Sequence, residues 1–220
     1  MIDLTGPTRR GALAYGVGGV ALALAPSLAH AQSAPAGKVD EKELMAGDAL
    51  PDIVLGKADA PITIVEYASM TCGHCATFHI ETLPELKTKY LDTGKAKFML
   101  REFPLDPLAA AAFMLARCQG DKREAVVDLL FKQQKNWAYT DKPLEGLQAT
   151  LRQTGMGADA FNKCLEDKDL YQNVLKVHRR AADKFAITST PTFFINGERR
   201  IGTITFADLD KILSGIADKK

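Results

Sequence analysis

A chain of 220 residues, 46% hydrophobic and 25% charged, has the makeup of a globular protein large enough for one domain, or one domain with a large insertion. The formal net charge is +1, and residues 1–31 carry all of it, because Arg9 and Arg10 outweigh Asp3 (2 − 1). The remainder is neutral, which excludes a nucleic-acid binder that works through phosphate contacts.

The N-terminal stretch "TRRGALAYGVGGVALALAPSLAHAQ" reads as an export signal over residues 1–31. A basic pair is followed by an Ala/Gly/Leu/Val segment from Gly11 to Ala25, and Ala29-His30-Ala31 is a small-x-small cleavage site. The apolar segment is shorter than the about 20 residues a membrane span needs. Thr8-Arg9-Arg10 with a glycine-rich core is similar to a twin-arginine signal, although Ala12 stands where that pattern favours phenylalanine. The ordinary secretory route therefore stays open. Export places the four cysteines, Cys72, Cys75, Cys118 and Cys164, in an oxidising compartment, where disulfides are favoured over bound zinc.

Residues 32–50 are polar with scattered Pro and Gly, and are expected as a flexible arm. "PITIVEYAS" (Pro61 to Ser69) is a strand apolar on both faces, hence buried on both. From Gly73 the period becomes helical through Phe78, Leu83, Leu86 and Tyr90, with Pro84 expected to kink the helix. "KAKFMLREF" (Lys95 to Phe103) is the next strand. A helical block over 106–185 opens with Asp106 as N-cap and Pro107 at the first helical position. Further helices are read at 122–138, 143–155, 158–166 and 168–185. "TPTFFING" and "RRIGT" then form a hairpin around Asn196-Gly197. The closing helix is capped by Thr205, with Phe206, Leu209, Ile212, Leu213 and Ile216 as its apolar stripe. Strand–helix–strand demands a parallel pair. The order describes an α/β unit, first part 51–105 and second part 186–220, interrupted by an inserted helical domain.

The chemistry concentrates in "SMTCGHCATFH" (Ser69 to His79). Cys72 follows a strand and opens a helix, so free backbone N–H groups and the helix dipole favour its thiolate. Cys75, one turn on, is the more buried thiol and is placed to resolve a mixed disulfide. His74 offers a charge or a hydrogen bond that stabilises the Cys72 thiolate further. A zinc site would need a second ligand pair at metal spacing, and Cys118 and Cys164 do not supply one. A purely structural disulfide would close too short a loop to stabilise much. Two other features bear on the site. Thr190-Pro191 before an apolar strand suits a cis bond, with a trans proline as the alternative. Glu66 shares a strand face with Ile62, Ile64 and Ala68, and could take the proton of Cys75; the competing reading is a half-exposed glutamate on an edge strand.

With these residues in hand, "APITIVEYASMTCGHCATFH", "REFPLD" and "TSTPTFFING" resemble the DsbA-like thiol:disulfide oxidoreductases of exported bacterial proteins, over roughly Asp52 to Ile216. The resemblance implies a thioredoxin fold with an inserted helical domain, Cys72 as nucleophile and Cys75 as resolving thiol. It implies that His74 tunes Cys72, that Glu66 is the buried acid, and that Thr190 and cis-Pro191 hold an extended substrate segment. It also implies a periplasmic oxidase that needs no cofactor or metal. Its substrates would be cysteine-containing exported proteins, and a quinone-linked membrane protein of the DsbB type would re-oxidise it. The threonine before the proline and the Gly-His dipeptide also resemble isomerase-type members, so an isomerase or reductase is the alternative, with Cu(I) handling as a third. Cys118 and Cys164, on different helices of an exported chain, are expected to pair as a structural disulfide. His79 is expected on a helix surface, His178 in an exposed basic run, and Trp137 and Tyr139 in packing roles.

Overall fold

The computed structural model describes residues 37–218. The expected export signal and the first residues of the arm lie outside them. Among the described residues no helix is long and apolar enough to cross a membrane.

Five strands, β1 (Ile53–Gly56), β2 (Ile62–Ala68), β3 (Ala96–Glu102), β4 (Thr192–Ile195) and β5 (Glu198–Ile201), form one sheet in the order β1-β3-β2-β4-β5. β2 and β3 are parallel, with Ile64 opposite Phe98 and Glu66 opposite Leu100. The other neighbours are antiparallel. β1 was not read from the sequence: four residues between Pro51 and Gly56 are too few to show a period.

β2 lies between two strands, and its period-two alternation divides the core. Ile62, Ile64 and Ala68 join one apolar cluster, together with Phe78, Phe98, Phe193 and Cys75. Val65 and Tyr67 join the other, with Met99, Phe185 and Phe194. Over the first face runs the helix that follows β2. It comprises α2 (Gly73–Thr77) and α3 (Leu83–Leu86), with π-helical turns at Phe78–Thr82 and Lys87–Leu91. Where a kink was expected at Pro84, the widened turn ahead of it and its place in the first turn of α3 accommodate the missing N–H.

The helical block comprises α4 (Pro107–Arg117), α5 (Arg123–Lys132), α6 (Gln134–Trp137), α7 (Pro143–Arg152), α8 (Ala158–Leu165) and α9 (Lys168–Phe185). Asp106 caps α4 by accepting from the Ala109 N–H at 2.7 Å. Phe113, Leu130, Trp137 and Leu151 belong to the same cluster as the first sheet face, so the insertion has no core of its own. α9 covers the second face through Ala181 and Phe185. α10 (Phe206–Ala217) is capped by Thr205, whose hydroxyl accepts from Asp208 N, and it buries Leu209 and Leu213.

Residues 38–50, expected as a loose arm, are instead docked. A short helix α1 (Glu41–Met45) buries Leu44, and Val39 N donates to the Gly197 carbonyl at 2.9 Å. That contact explains the Asn-Gly turn more fully than hairpin geometry alone. Gly197 has φ +79, and a Cβ there would lie 2.8 Å from the Val39 carbonyl oxygen.

Candidate active site

The turn from β2 into α2 is tied down from three distant segments. Cys72 N donates to the Ser69 carbonyl at 3.1 Å, and Cys72 itself is the N-cap residue of α2 with extended backbone (φ −80, ψ 117). The Ser69 hydroxyl accepts from Leu105 N at 3.2 Å, and the Thr71 hydroxyl donates to the Asp106 carboxylate. From the helical block, Gln134 Nε2 donates to the carbonyls of Met70 (2.7 Å) and Cys72 (3.0 Å), and the Tyr139 hydroxyl donates to the Thr71 carbonyl at 2.8 Å.

The two thiols of the motif are free and unequal. Cys72 is half-buried and Cys75 fully buried. The pKa of Cys72 is lowered to about 5, first by the hydrogen bond from the Cys75 thiol. Burial opposes the shift, and Thr190 together with the backbone N–H groups of Cys75 and His74 adds to it. The Thr190 hydroxyl is buried with no hydrogen-bond partner and lowers the Cys72 pKa as a nearby donor, and the Thr190 carbonyl lies 3.4 Å from Cys72 Sγ. Threonine therefore faces the sulfur with a donor for the thiolate and an acceptor for the thiol. Burial pushes the Cys75 thiol well above the ordinary range, with further upward pushes from its hydrogen bond to Cys72 and from the Glu66 charge. One sulfur is thus an anion at neutral pH and its neighbour a thiol.

Glu66 is fully buried on an interior strand, which excludes the edge-strand reading. Its Oε2 lies 2.8 Å from His79 Nε2, and its Oε1 has no hydrogen-bond partner. Burial raises its pKa, against the pull of His79. His79 corrects a second expectation. It is buried rather than on a helix surface, and its ring stacks on Phe131 at 4.2 Å between centroids. The spacing held the signal, since His79 lies four residues after the buried Cys75 and therefore on the same helix face. His74 contributes to Cys72 through its backbone N–H, while its exposed ring pairs through Nδ1 with the Thr203 hydroxyl at 3.1 Å. Its expected role as a tuning side chain has no contact here to support it.

The Thr190–Pro191 peptide is cis. Cys118, the C-cap of α4, and Cys164 in α8 are joined by a disulfide across 46 residues. Trp137 is buried, as a packing residue would be. Tyr139 is not: it is exposed and reaches the active-site turn. No sequence pattern linked Gln134 or Tyr139 to the motif, because both arrive from an insertion more than sixty positions away.

Comparison with known proteins agrees with this geometry. The thioredoxin sequence family matches residues 48–214. A Rickettsia bellii protein provisionally named protein-disulfide oxidoreductase is 36% identical over 148 residues, covering 66% of this chain and 57% of that protein. A Bacillus cereus protein provisionally named disulfide bond formation protein D is 30% identical over 152 residues, covering 65% of this chain and 69% of the relative. The crystal structure of alpha-DsbA1 from Wolbachia pipientis superposes with a TM-score of 0.74 at 32% identity, covering 82% of this chain and 97% of that one. The chain spans 53% to 62% of the length of the Rickettsia relatives it matches.

Proposed function

The chain belongs to the thioredoxin family and has the fold of its DsbA-type members, and from that premise we propose that it is a periplasmic dithiol oxidase that puts disulfide bonds into exported proteins. The observation that carries this reading is the asymmetry of the pair, with a Cys72 pKa of about 5 beside a Cys75 thiol held protonated. A strongly favoured thiolate stabilises the reduced form, and a stabilised reduced form makes the disulfide a readier oxidant.

In the forward reaction a substrate thiolate attacks Cys72 Sγ of the Cys72–Cys75 disulfide. The S–S bond breaks and Cys75 leaves, taking up a proton. A second substrate thiolate then attacks the substrate sulfur of the mixed disulfide and releases Cys72 as thiolate. The substrate loses two electrons and gains a disulfide; the enzyme pair gains them. Thr190 and the cis-proline Pro191 flank the attacked sulfur, where an extended substrate segment would lie. Re-oxidation runs the sequence backwards against a membrane oxidant of the DsbB type. There Cys75 must lose its proton before it can resolve the mixed disulfide, and Glu66, buried beside it and coupled to it, is the acceptor.

The deciding measurement is the reduction potential of the Cys72–Cys75 pair in a glutathione buffer. A value of about −120 to −150 mV supports the oxidase, whereas about −250 mV or lower would mean a protein that works reduced, as an isomerase or reductase. Recovery of the chain from the periplasmic fraction, shortened to begin at Gln32, tests the export reading; a cytosolic full-length chain would overturn it.

A further inference from the structure

A cavity of about 500 Å³ opens beside the site, between β1, β3, α3 and α5, and His79 is part of its wall. Leu83, Phe98 and Leu100 make its floor apolar. Its rim is charged and exposed, with Lys87, Asp121, Glu124 and Lys132 at the surface and Asp128 partly so. Among the described residues no other polar side chain from the buried interior lines this cavity. The histidine imidazole is therefore the one buried titratable group shared between the interior of the site and this opening.

We propose that His79 is the proton exit of the active site, releasing a proton to water in this cavity as Glu66 takes up the Cys75 proton. The inference rests on the reading of Glu66 as acceptor. The carboxylate has one free and one engaged oxygen: Oε1 has no hydrogen-bond partner, and Oε2 is bonded to His79 Nε2, while the Glu66 charge is felt at the Cys75 thiol. When Cys75 resolves a mixed disulfide, the Cys72–partner S–S bond breaks, the Cys72–Cys75 bond forms, and the partner leaves as thiolate. The Cys75 proton passes to Glu66. With the Nε2–H of a protonated His79 bonded to Oε2, arrival of the proton on Oε1 removes the charge that holds the imidazolium, which releases its Nδ1 proton to cavity water; both protons return when Cys75 next leaves a disulfide, Glu66 giving its proton to the thiolate and cavity water reprotonating Nδ1. Glu66 would otherwise be stranded, because both its neighbouring strands are paired and it has no exposed surface. The titratable and charged groups around His79 are Glu66 from β2, Cys75 and Lys87 from its own helix, and Asp121, Glu124, Asp128 and Lys132 at the rim. The rest of its surroundings is apolar, with Phe131 stacked on the ring and Phe98 edge-on at 6.1 Å.

The test reacts the reduced full-length protein with oxidised glutathione and follows the glutathionyl-Cys72 mixed disulfide by acid quench, alkylation and mass spectrometry. Formation reports attack by Cys72, and decay reports deprotonation of Cys75. His79→Gln is expected to leave formation unchanged and to slow decay about tenfold at pH 7, less than the ~10²-fold or more of a direct acid–base group. Imidazole in the buffer is expected to restore the decay rate. Ala125→Trp, at the exposed edge of the cavity, leaves both Glu66 and His79 in place; it is expected to slow decay by obstructing the exit. Should Glu66→Gln leave decay unchanged, the acceptor reading itself fails. If Glu66→Gln slows decay but His79→Gln and Ala125→Trp do not, the acceptor stands and the exit is overturned. A slow His79→Gln protein that imidazole does not rescue also overturns it, since the histidine would then serve only in packing.

Discussion

The side-chain amide of Gln134 lies 3.0 Å from the carbonyl oxygen of Cys72, so a residue of the inserted helices holds the backbone of the nucleophile. The same nitrogen holds the Met70 carbonyl at 2.7 Å. Gln134 is buried, so neither carbonyl has easy access to water in its place.

Gln134→Ala is therefore expected to cost about 1–3 kcal/mol of stability, the penalty for leaving buried acceptors unmade. Urea unfolding should show a lower midpoint with an unchanged slope. An unchanged midpoint would mean that the turn holds itself and the insertion does not brace it.

The Cys72 thiolate should be directly visible. Absorbance near 240 nm in the reduced protein is expected to titrate with a midpoint of about 5, and to vanish in Cys72→Ser. The shift also sets a sign for stability. The folded pKa lies below the unfolded thiol value of about 8.5, so the thiolate stabilises the reduced fold fully above that pH. The contribution declines as pH falls and is gone below about 5. Reduced and oxidised proteins unfolded in parallel should show the reduced form gaining on the oxidised form between pH 5 and pH 8. A gap that stays flat across this range would show that Cys72 has no special acidity.

Much of this site was legible in the sequence because its chemistry is local. Cys72 and Cys75 are three residues apart at a strand–helix junction, and period two alone put Glu66 on the same face as Ile64 and Ala68. Asp106 and Thr205 act as caps through contacts spanning a few residues. What stayed hidden depends on contacts between distant segments. Gln134 and Tyr139 reach the turn only after the helical block has packed, and β1 is recognisable only by its pairing with β3. The reading of residues 38–50 failed for the same reason: a polar stretch reveals nothing of the Gly197 carbonyl it will meet.

The second disulfide should stabilise without serving the reaction. Cys118 and Cys164 close a loop across 46 residues, so the Cys118→Ala/Cys164→Ala double variant is expected to lose about 4 kcal/mol through the freed unfolded chain. The Cys72 titration midpoint is expected to stay put. A moved midpoint would instead couple this disulfide to the active site and make it regulatory.

Glu66 should be a stability cost kept for its chemistry. Burial raises its pKa above the ordinary 4.5, so the folded state holds its proton more tightly than the unfolded chain does. The contribution of such a group to stability is greatest below the unfolded pKa and is lost as pH rises through the folded one. Once ionised, the carboxylate is therefore an unfavourable buried charge, only partly offset by His79, with one oxygen unpartnered. Glu66→Gln keeps the shape and a hydrogen bond to His79 while removing the charge. It is expected to raise stability by about 1–3 kcal/mol where the carboxylate is ionised, and to flatten the decline of stability with rising pH. The same change is expected to slow resolution by Cys75, so stability and activity should move in opposite directions. A variant less stable where the carboxylate is ionised would mean that the ion pair with His79 outweighs the burial, and that Glu66 is there to hold the fold.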